Sequence, residues 1–289
     1  MNETPETAPA SGIPNGGRKP LKFSLGWITR PLFGGLLAAL AVAALYEGGF
    51  YFALLIAAVL IAAAREWHRM IAQGKFTEEF FVTSLVVILA VCIEVEKPGS
   101  VLPWAIVGFG TLISFALATV RGRLALWEAG GVLYLGIPAL AAVMLRTLPE
   151  QSFRLLLVFF LAIWAADTGA FVSGNLIGGP KLWPALSPNK TWAGFFGGIL
   201  LAAIAGGVAF AMMNLGAARG AVFAALIGVI AHMGDLFESW VKRTFRIKNS
   251  GGLIPGHGGV LDRIDSTLLA IPVLAAVVFV GGINPMVTA

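Results

Sequence analysis

The 289-residue sequence holds only four aspartates, and all stand at position 167 or later: Asp167, Asp235, Asp262 and Asp265. Each sits in a polar island between long apolar runs. Ionisable groups at membrane depth are costly, so in an apolar chain they mark a functional site by default. The richest island reads Gly256-His257-Gly258-Gly259-Val260-Leu261-Asp262-Arg263-Ile264-Asp265-Ser266. Asp262 and Asp265 stand three residues apart, which makes them neighbours on a helix. Adjacent carboxylates repel unless a cation joins them, so the pair needs a metal ion or Arg263. Gly251, Gly252, Gly256, Gly258 and Gly259 make a turn region that lets backbone approach a ligand closely. His257 suits a metal ligand, a phosphate contact or a proton carrier, and equally a structural hydrogen bond within the loop.

A second island runs from His232 to Lys248. His232, Asp235, Ser239 and Lys242 recur at spacings of three, four and three, and so share one helix face, flanked by Glu238. Lys242, Arg243, Arg246 and Lys248 follow as that helix leaves the apolar zone. A carboxylate with cations one to two turns beyond suits a metal plus phosphate groups. Magnesium takes one or two carboxylates and fills its other positions with water and phosphate oxygens. The plainer alternative is a snorkelling basic cluster on lipid headgroups, with Asp235 as its internal ion-pair partner.

The third island, Trp164 to Lys190, opens with Asp167-Thr168-Gly169-Ala170. It continues through Gly178-Gly179-Pro180-Lys181-Leu182 to Ser187-Pro188-Asn189-Lys190-Thr191. Lys181 and Lys190 stand on a loop of a kind whose backbone N–H groups can wrap a phosphate. The helix after Thr191 would offer its N-terminal amides to the same anion. An ordinary cytoplasmic loop, with Asp167 as an interfacial cap, accounts for the same residues.

The elements that must hold these islands are membrane helices. The chain is 58% hydrophobic and 12% charged, with a mean hydropathy of +0.86, which places it in the membrane class. Nine apolar runs are long enough to be candidate spans: 31–46, 48–64, 80–95, 102–120, 130–146, 153–173, 193–215, 219–240 and 265–282. The first two are short and separated only by Glu47-Gly48-Gly49; one long helical hairpin there is the alternative and leaves the parity unchanged, whereas a single span would flip it. Residues 1–24, rich in Pro, Gly, Thr and Glu, read as a disordered cytoplasmic tail, and residues 25–289 as one transmembrane domain. No cleavable signal is visible, because the first apolar run begins only after Arg30. Cys92 reads as a small buried hydrophobe.

Positive charge orients the chain. With the N-terminus inside, 16 of the 20 Lys and Arg residues fall in inner segments and four outside: Lys97, Arg146, Arg154 and Arg219. That asymmetry predicts N-in, C-out with nine spans. All four aspartates then gather near the inner headgroup layer. The expectation is an all-α, polytopic helical bundle in the cytoplasmic membrane. Its formal charge of +5 reflects topology and anionic headgroups rather than nucleic acid.

The motifs also fit a known pattern. Ser239-Trp240-Val241-Lys242-Arg243 is followed by Lys248-Asn249-Ser250, then by Pro255-Gly256-His257-Gly258-Gly259-Val260-Leu261-Asp262-Arg263-Ile264-Asp265. This resembles the phosphatidate cytidylyltransferases, also called CDP-diacylglycerol synthases, whose signature is Ser, Lys-Arg, Lys-Asp, then Pro-x-His-Gly-Gly-x-x-Asp-Arg-x-Asp. The Asp167, Lys181 and Ser187-to-Thr191 segments resemble further parts of that family. Motif likeness covers about 160–270, the region expected to build the active site, and the rest is alike only in hydropathy. Asn249 departs from the pattern, standing where the family has Asp, which weakens or moves any metal or proton role there. Gly179 and Ala193 also replace residues expected to be polar. Because the other acids and cations remain, these changes read as subfamily drift.

The resemblance implies that CTP and phosphatidate give CDP-diacylglycerol and pyrophosphate at the cytoplasmic headgroup layer. It implies Asp235 and Asp262 as magnesium ligands, with Asp265 a further member and one or two ions bound. Lys190, Lys242, Arg243 and Arg263 would contact phosphate. Asp167, Lys181, Ser187, Thr191, Ser239, Gly258 and Gly259 complete the substrate site. His257 belongs to the catalytic group, although an already ionised phosphate nucleophile needs no strong general base. The expected partners are CTP, the phosphatidate lipid and the membrane, with a homodimer left open.

Two other readings compete. A CTP-dependent polyprenol kinase would transfer the terminal phosphate and release CDP. An ion-coupled transporter should carry acids near the midplane, on broken helices in repeated halves. Here the acids cluster at one face, the N-terminal half has no Asp, and no internal repeat is found, which favours an interfacial enzyme.

Overall fold

The computed structural model describes residues 26–148, 151–253 and 258–286. The tail expected over 1–24, and His257 with Ile254, Pro255 and Gly256, lie outside the described residues. Nine helices follow in order among those described: α1 (Gly26–Glu47), α2 (Gly49–Ile71), α3 (Glu78–Glu96), α4 (Leu102–Val120), α5 (Ala125–Thr147), α6 (Ser152–Leu176), α7 (Trp192–Met212), α8 (Ala217–Thr244) and α9 (Leu261–Phe279). Six of them, α2 and α4 to α8, are long and apolar enough to cross a membrane. α3 and α9 have the length but carry acids: Glu78, Glu79, Glu94 and Glu96 on α3, Asp262 and Asp265 on α9. The architecture is an all-α polytopic membrane bundle.

Helices outrun the apolar stretches that announce them. A helix satisfies its backbone internally, so it continues into the interface while hydropathy registers only its lipid-facing part. α2 therefore extends past the run ending at 64 and carries Arg65, Glu66, His68 and Arg69 in its last turns. α9 begins at Leu261, ahead of the run at 265, and so includes Asp262. Between α1 and α2 the chain breaks. Gly48 and Gly49 adopt φ of +67° and +47°, in a region that glycine enters without a Cβ penalty. The two runs are thus two helices. Arg146 of α5 lies against Gly48 and donates to the final carbonyls of α1, from Nε to Leu45 O at 2.7 Å and from Nη2 to Tyr46 O at 2.9 Å. These bonds satisfy acceptors that a helix end leaves open.

One element was not expected. The segment read as a loop folds into an antiparallel hairpin, β1 (Lys181–Trp183) and β2 (Ser187–Thr191), with Lys181 opposite Thr191 and Trp183 opposite Ser187. Thr191 then caps α7, its Oγ1 accepting the Gly194 N–H at 3.0 Å.

Buried apolar side chains form a core joining α2, α5, α8 and α9, which includes Trp67, Leu135, Val241 and Leu261. A neighbouring core joins α5, α6, α8 and α9 through Leu145, Phe159, Ala231 and Leu274. Phe109, Leu112, Leu200 and Ile204 are exposed, as lipid-facing positions should be, since lipid tails are as apolar as Leu. Cys92 is also exposed, which corrects its expected burial: its place on α3 turns outward. Polar clasps hold α2 to α5 at one end of the bundle. His68 lies between Glu128 at Nδ1 and Thr83 Oγ1, 2.8 Å from Nε2, all three buried. Arg123 pairs with Glu78 and Glu79. The hairpin, the end of α8 and the start of α9 are joined at a common end by the ion pairs described next.

Candidate active site

The hairpin, α6, α7 and α8 enclose a cavity of about 540 Å³. Asp167 comes from α6, Lys181, Lys190 and Thr191 from the hairpin, and His232 and Asp235 from α8. Lys190 forms an ion pair with Asp235, both about a quarter to a third exposed. His232 is buried with its ring 5.3 Å from that of Phe195, and its Nε2 has no hydrogen-bond partner among the described residues. The charges of Asp167 and Asp265 both interact with that of Asp235, and the charge of Arg263 reaches Asp167. The acids of α6, α8 and α9 therefore share one electrostatic field. Gly234 makes room for this: a Cβ there would lie 2.7 Å from the Asp265 carbonyl oxygen and 3.1 Å from Ser266 Cα.

Beside the cavity stands a second cluster. Lys242 pairs with Glu238, one turn earlier, and with Asp262 Oδ1 at 2.9 Å. Asp262 also accepts the Ser250 N–H at 3.2 Å and the Gly259 N–H at 3.1 Å. Both its oxygens are thus engaged. Asp265 is buried, and its Oδ1 accepts the Ser266 N–H at 2.7 Å.

The expected site residues divide accordingly. Asp167, Lys181, Lys190, Thr191 and Asp235 line the cavity. Lys242, Asp262 and Gly259 form the adjoining cluster, with Gly258 at φ +87° leading into it. Asp265 lies behind both. Arg243 points elsewhere, donating from Nε to Leu186 O and from Nη1 to Ile247 O, each at 3.3 Å, so that it ties the hairpin tip to the end of α8. Ser187 sits opposite Trp183 near that tip, and Ser239 is half-buried on α8.

For a divalent ion the donor chemistry is suitable. Asp235, Asp262, Asp265 and Glu238 offer only hard carboxylate oxygens, and Glu238 Oε1 is buried without a hydrogen-bond partner among the described residues. No group of three or more such side chains stands within ligating reach among the described residues. Magnesium itself takes one or two carboxylates and draws its other ligands from water and phosphate. Lys190 and Lys242 are the cations that stand against Asp235 and Asp262.

The sequence pattern of the cytidylyltransferase family matches residues 28–280. The chain belongs to the cytidylyltransferase family. It is 37% identical over 235 residues to the phosphatidate cytidylyltransferase of Brucella suis biovar 1 (strain 1330), covering 79% of this chain and 84% of that one. Against the phosphatidate cytidylyltransferase of Pseudomonas aeruginosa it is 34% identical over 250 residues, 82% of this chain and 91% of the relative. With that of Staphylococcus epidermidis (strain ATCC 35984) it shares 42% identity over 127 residues, 43% of this chain.

Within this cytidylyltransferase, three residues of the cluster escaped the sequence reading. Glu238 was noted only as flanking. Tyr134 of α5, its ring tilted against that of Trp67 at 5.0 Å, has a buried hydroxyl without a hydrogen-bond partner among the described residues and interacts with the charges of Asp265, Glu238 and Asp235. Glu66 of α2 contacts the loop before α9. A lone acid among the cations at the end of α2, and one beside Asp235 and Lys242 on α8, were the available signals for the two glutamates. Tyr134 gave none.

Proposed function

We propose that this membrane enzyme is a phosphatidate cytidylyltransferase. A phosphate oxygen of phosphatidate attacks the α-phosphorus of CTP. One new P–O bond forms, the bond between the α-phosphorus and the bridging oxygen breaks, and pyrophosphate leaves with that electron pair. The observation that carries this reading is the cavity at the end of the bundle, where Lys181 and Lys190 meet the acids of α6 and α8.

The chemistry follows from charge. Both substrates are polyanions, and they repel until cations neutralise them. Lys190 and Lys181 supply positive charge to the triphosphate from the hairpin, and Lys242 does so from the end of α8. Asp235 would hold magnesium with at most one further carboxylate, water and phosphate oxygens completing its shell, and Asp262 and Asp265 would add negative charge beside it. When bound, that ion supplies charge neutralisation at the attacking and leaving oxygens. Asp262 holds Lys242 and the Ser250 and Gly259 amides in place. The phosphatidate nucleophile is ionised at neutral pH, so no residue need remove a proton. Placed N-in and C-out in the cytoplasmic membrane, the bundle sets this cavity at the inner headgroup layer, where a lipid phosphate meets a soluble nucleotide.

The test is purified protein in detergent with labelled CTP, phosphatidate and magnesium. Pyrophosphate and CDP-diacylglycerol should appear only when all three are present. Release of CDP with a phosphorylated isoprenoid would instead establish a kinase, and solute movement without nucleotide turnover a transporter.

A further inference from the structure

The acid that accepts from Ser250 and Leu261 lies outside the polar islands. It is Glu66, in the last turns of α2, within the half of the chain that has no aspartate. Its side chain is 2% exposed. Oε2 accepts the Leu261 N–H at 2.8 Å and the Ser250 hydroxyl at 3.2 Å. Gly251 and Gly259 pack so tightly on the same carboxylate that a Cβ at either would collide with it. Ser250 and Gly259 in turn donate their N–H groups to Asp262, which holds Lys242. One continuous set of bonds thus leads from Glu66 through the loop to Asp262 and Lys242. Glu66 is itself held firmly, because His68, two residues on, ties α2 to Glu128 and Thr83.

Packing alone does not account for a carboxylate here. Burying one is costly unless it is paired and hydrogen-bonded. Glu66 has two donors on Oε2, whereas Oε1 has no hydrogen-bond partner among the described residues. An apolar residue would fill the space at lower cost, but it could not fix the Leu261 amide and the Ser250 hydroxyl together.

We propose that Glu66 is a positioning residue: it sets the loop that places Asp262, and through Asp262 the Lys242 ammonium. The N-terminal half of the bundle thereby fixes the geometry of a site whose reacting groups all come from the C-terminal half. The catalytic consequence rests on the cytidylyl transfer proposed above. Misplacing a catalytic group by about 1 Å can cost on the order of 100-fold in rate.

The experiment compares Glu66→Ala and Glu66→Gln with wild type in the full chain. It measures kcat and KM for CTP, the magnesium dependence, the melting temperature, and hydrogen exchange over residues 250–262. Glu66→Ala should lower kcat about 100-fold, change KM for CTP little, and speed exchange in 250–262 while α6 and α7 stay protected. Glu66→Gln keeps an acceptor oxygen and should recover most of the lost kcat. Wild-type kcat in Glu66→Ala would overturn the proposal, as would equal damage from both variants in step with melting temperature. If Glu66→Ala fails to fold, Ser250→Ala and Gly251→Ala decide, and unchanged kcat and exchange in both would overturn it. Should wild-type protein lack cytidylyl transfer, the function reading fails separately, and exchange over 250–262 alone then decides whether Glu66 sets the loop.

Discussion

Lys190, at the end of the β1–β2 hairpin, pairs with Asp235 of α8 across the cavity. The pair joins the Gly/Pro/Ser/Asn-rich hairpin segment to helix α8, and it brings a cation to the place where a triphosphate would need one. Replacing Lys190 by Gln should lower kcat/KM for CTP by about 100-fold, the loss typical of removing one preorganised charge-stabilising donor. Stability should hardly change, since partly exposed ion pairs contribute less than about 1 kcal/mol. Lys190→Arg should retain more activity than Lys190→Gln. Steady-state kinetics with a melting curve for each variant checks this, and equal activity in all three would remove Lys190 from the site.

Asp235 and Asp262 should separate on stability. Each Asn substitution removes one charge at nearly constant size, and each should nearly abolish turnover. Asp235 faces the cavity with one ion pair, so Asp235→Asn should melt near wild type. Asp262 accepts from Lys242, Ser250 and Gly259, so Asp262→Asn should lose about 2 kcal/mol as well, the scale of a hydrogen bond to a charged group. Activity against magnesium concentration and melting temperature are the measurements. Near-normal turnover in either variant would exclude that aspartate.

Much of this was legible in the sequence because charge is scarce in it. Four aspartates in an apolar chain pointed to α6, α8 and the start of α9, and hydropathy marked the helices. The hairpin was hidden, because Lys181–Trp183 and Ser187–Thr191 are too short to show a strand period and contain Pro188. Glu66 and Tyr134 were hidden for a different reason. Their partners are far away in sequence, and helical periodicity states which face a residue occupies without stating what that face meets. Arg243 shows the converse: its motif position marked it as a phosphate contact, while its bonds here run to Leu186 and Ile247.

Asn249 tests how far motif position predicts role. It is exposed and lines a separate cavity of about 480 Å³ beside Arg65 and Arg69, away from Asp235. Asn249→Asp should therefore leave kcat and the magnesium dependence close to wild type and change stability by no more than about 0.5 kcal/mol, as surface substitutions usually do. A clear gain in activity or tighter metal use would show that this position reaches the reaction after all.

The orientation can be read by labelling. Ser250 is a poor probe, being buried against Glu66, whereas Lys248 and Ala218 are exposed. With Cys92 changed to Ser, Lys248→Cys should resist a membrane-impermeant thiol reagent added outside intact cells, and Ala218→Cys should react. The reverse pattern would refute N-in, C-out.

Gly234 offers a test of the α8–α9 contact that needs no charge change. A Cβ at this position would meet the Asp265 carbonyl oxygen at 2.7 Å and Ser266 Cα at 3.1 Å. Both are backbone atoms, so no side chain can swing aside, and α9 must shift from α8. Overpacking of this kind costs about 1–3 kcal/mol. The shift would also move Asp265 and Asp262 relative to Asp235, which sits next to Gly234. Gly234→Ala should therefore lose activity well beyond what its stability explains, even at temperatures where it is fully folded. Gly252→Ala, where an added Cβ meets nothing within 4 Å among the described residues, is the control and should retain near wild-type turnover. Turnover measured well below the melting temperature of each variant decides the matter. Full activity in Gly234→Ala would mean that the spacing of α8 and α9 does not set the geometry of the acids.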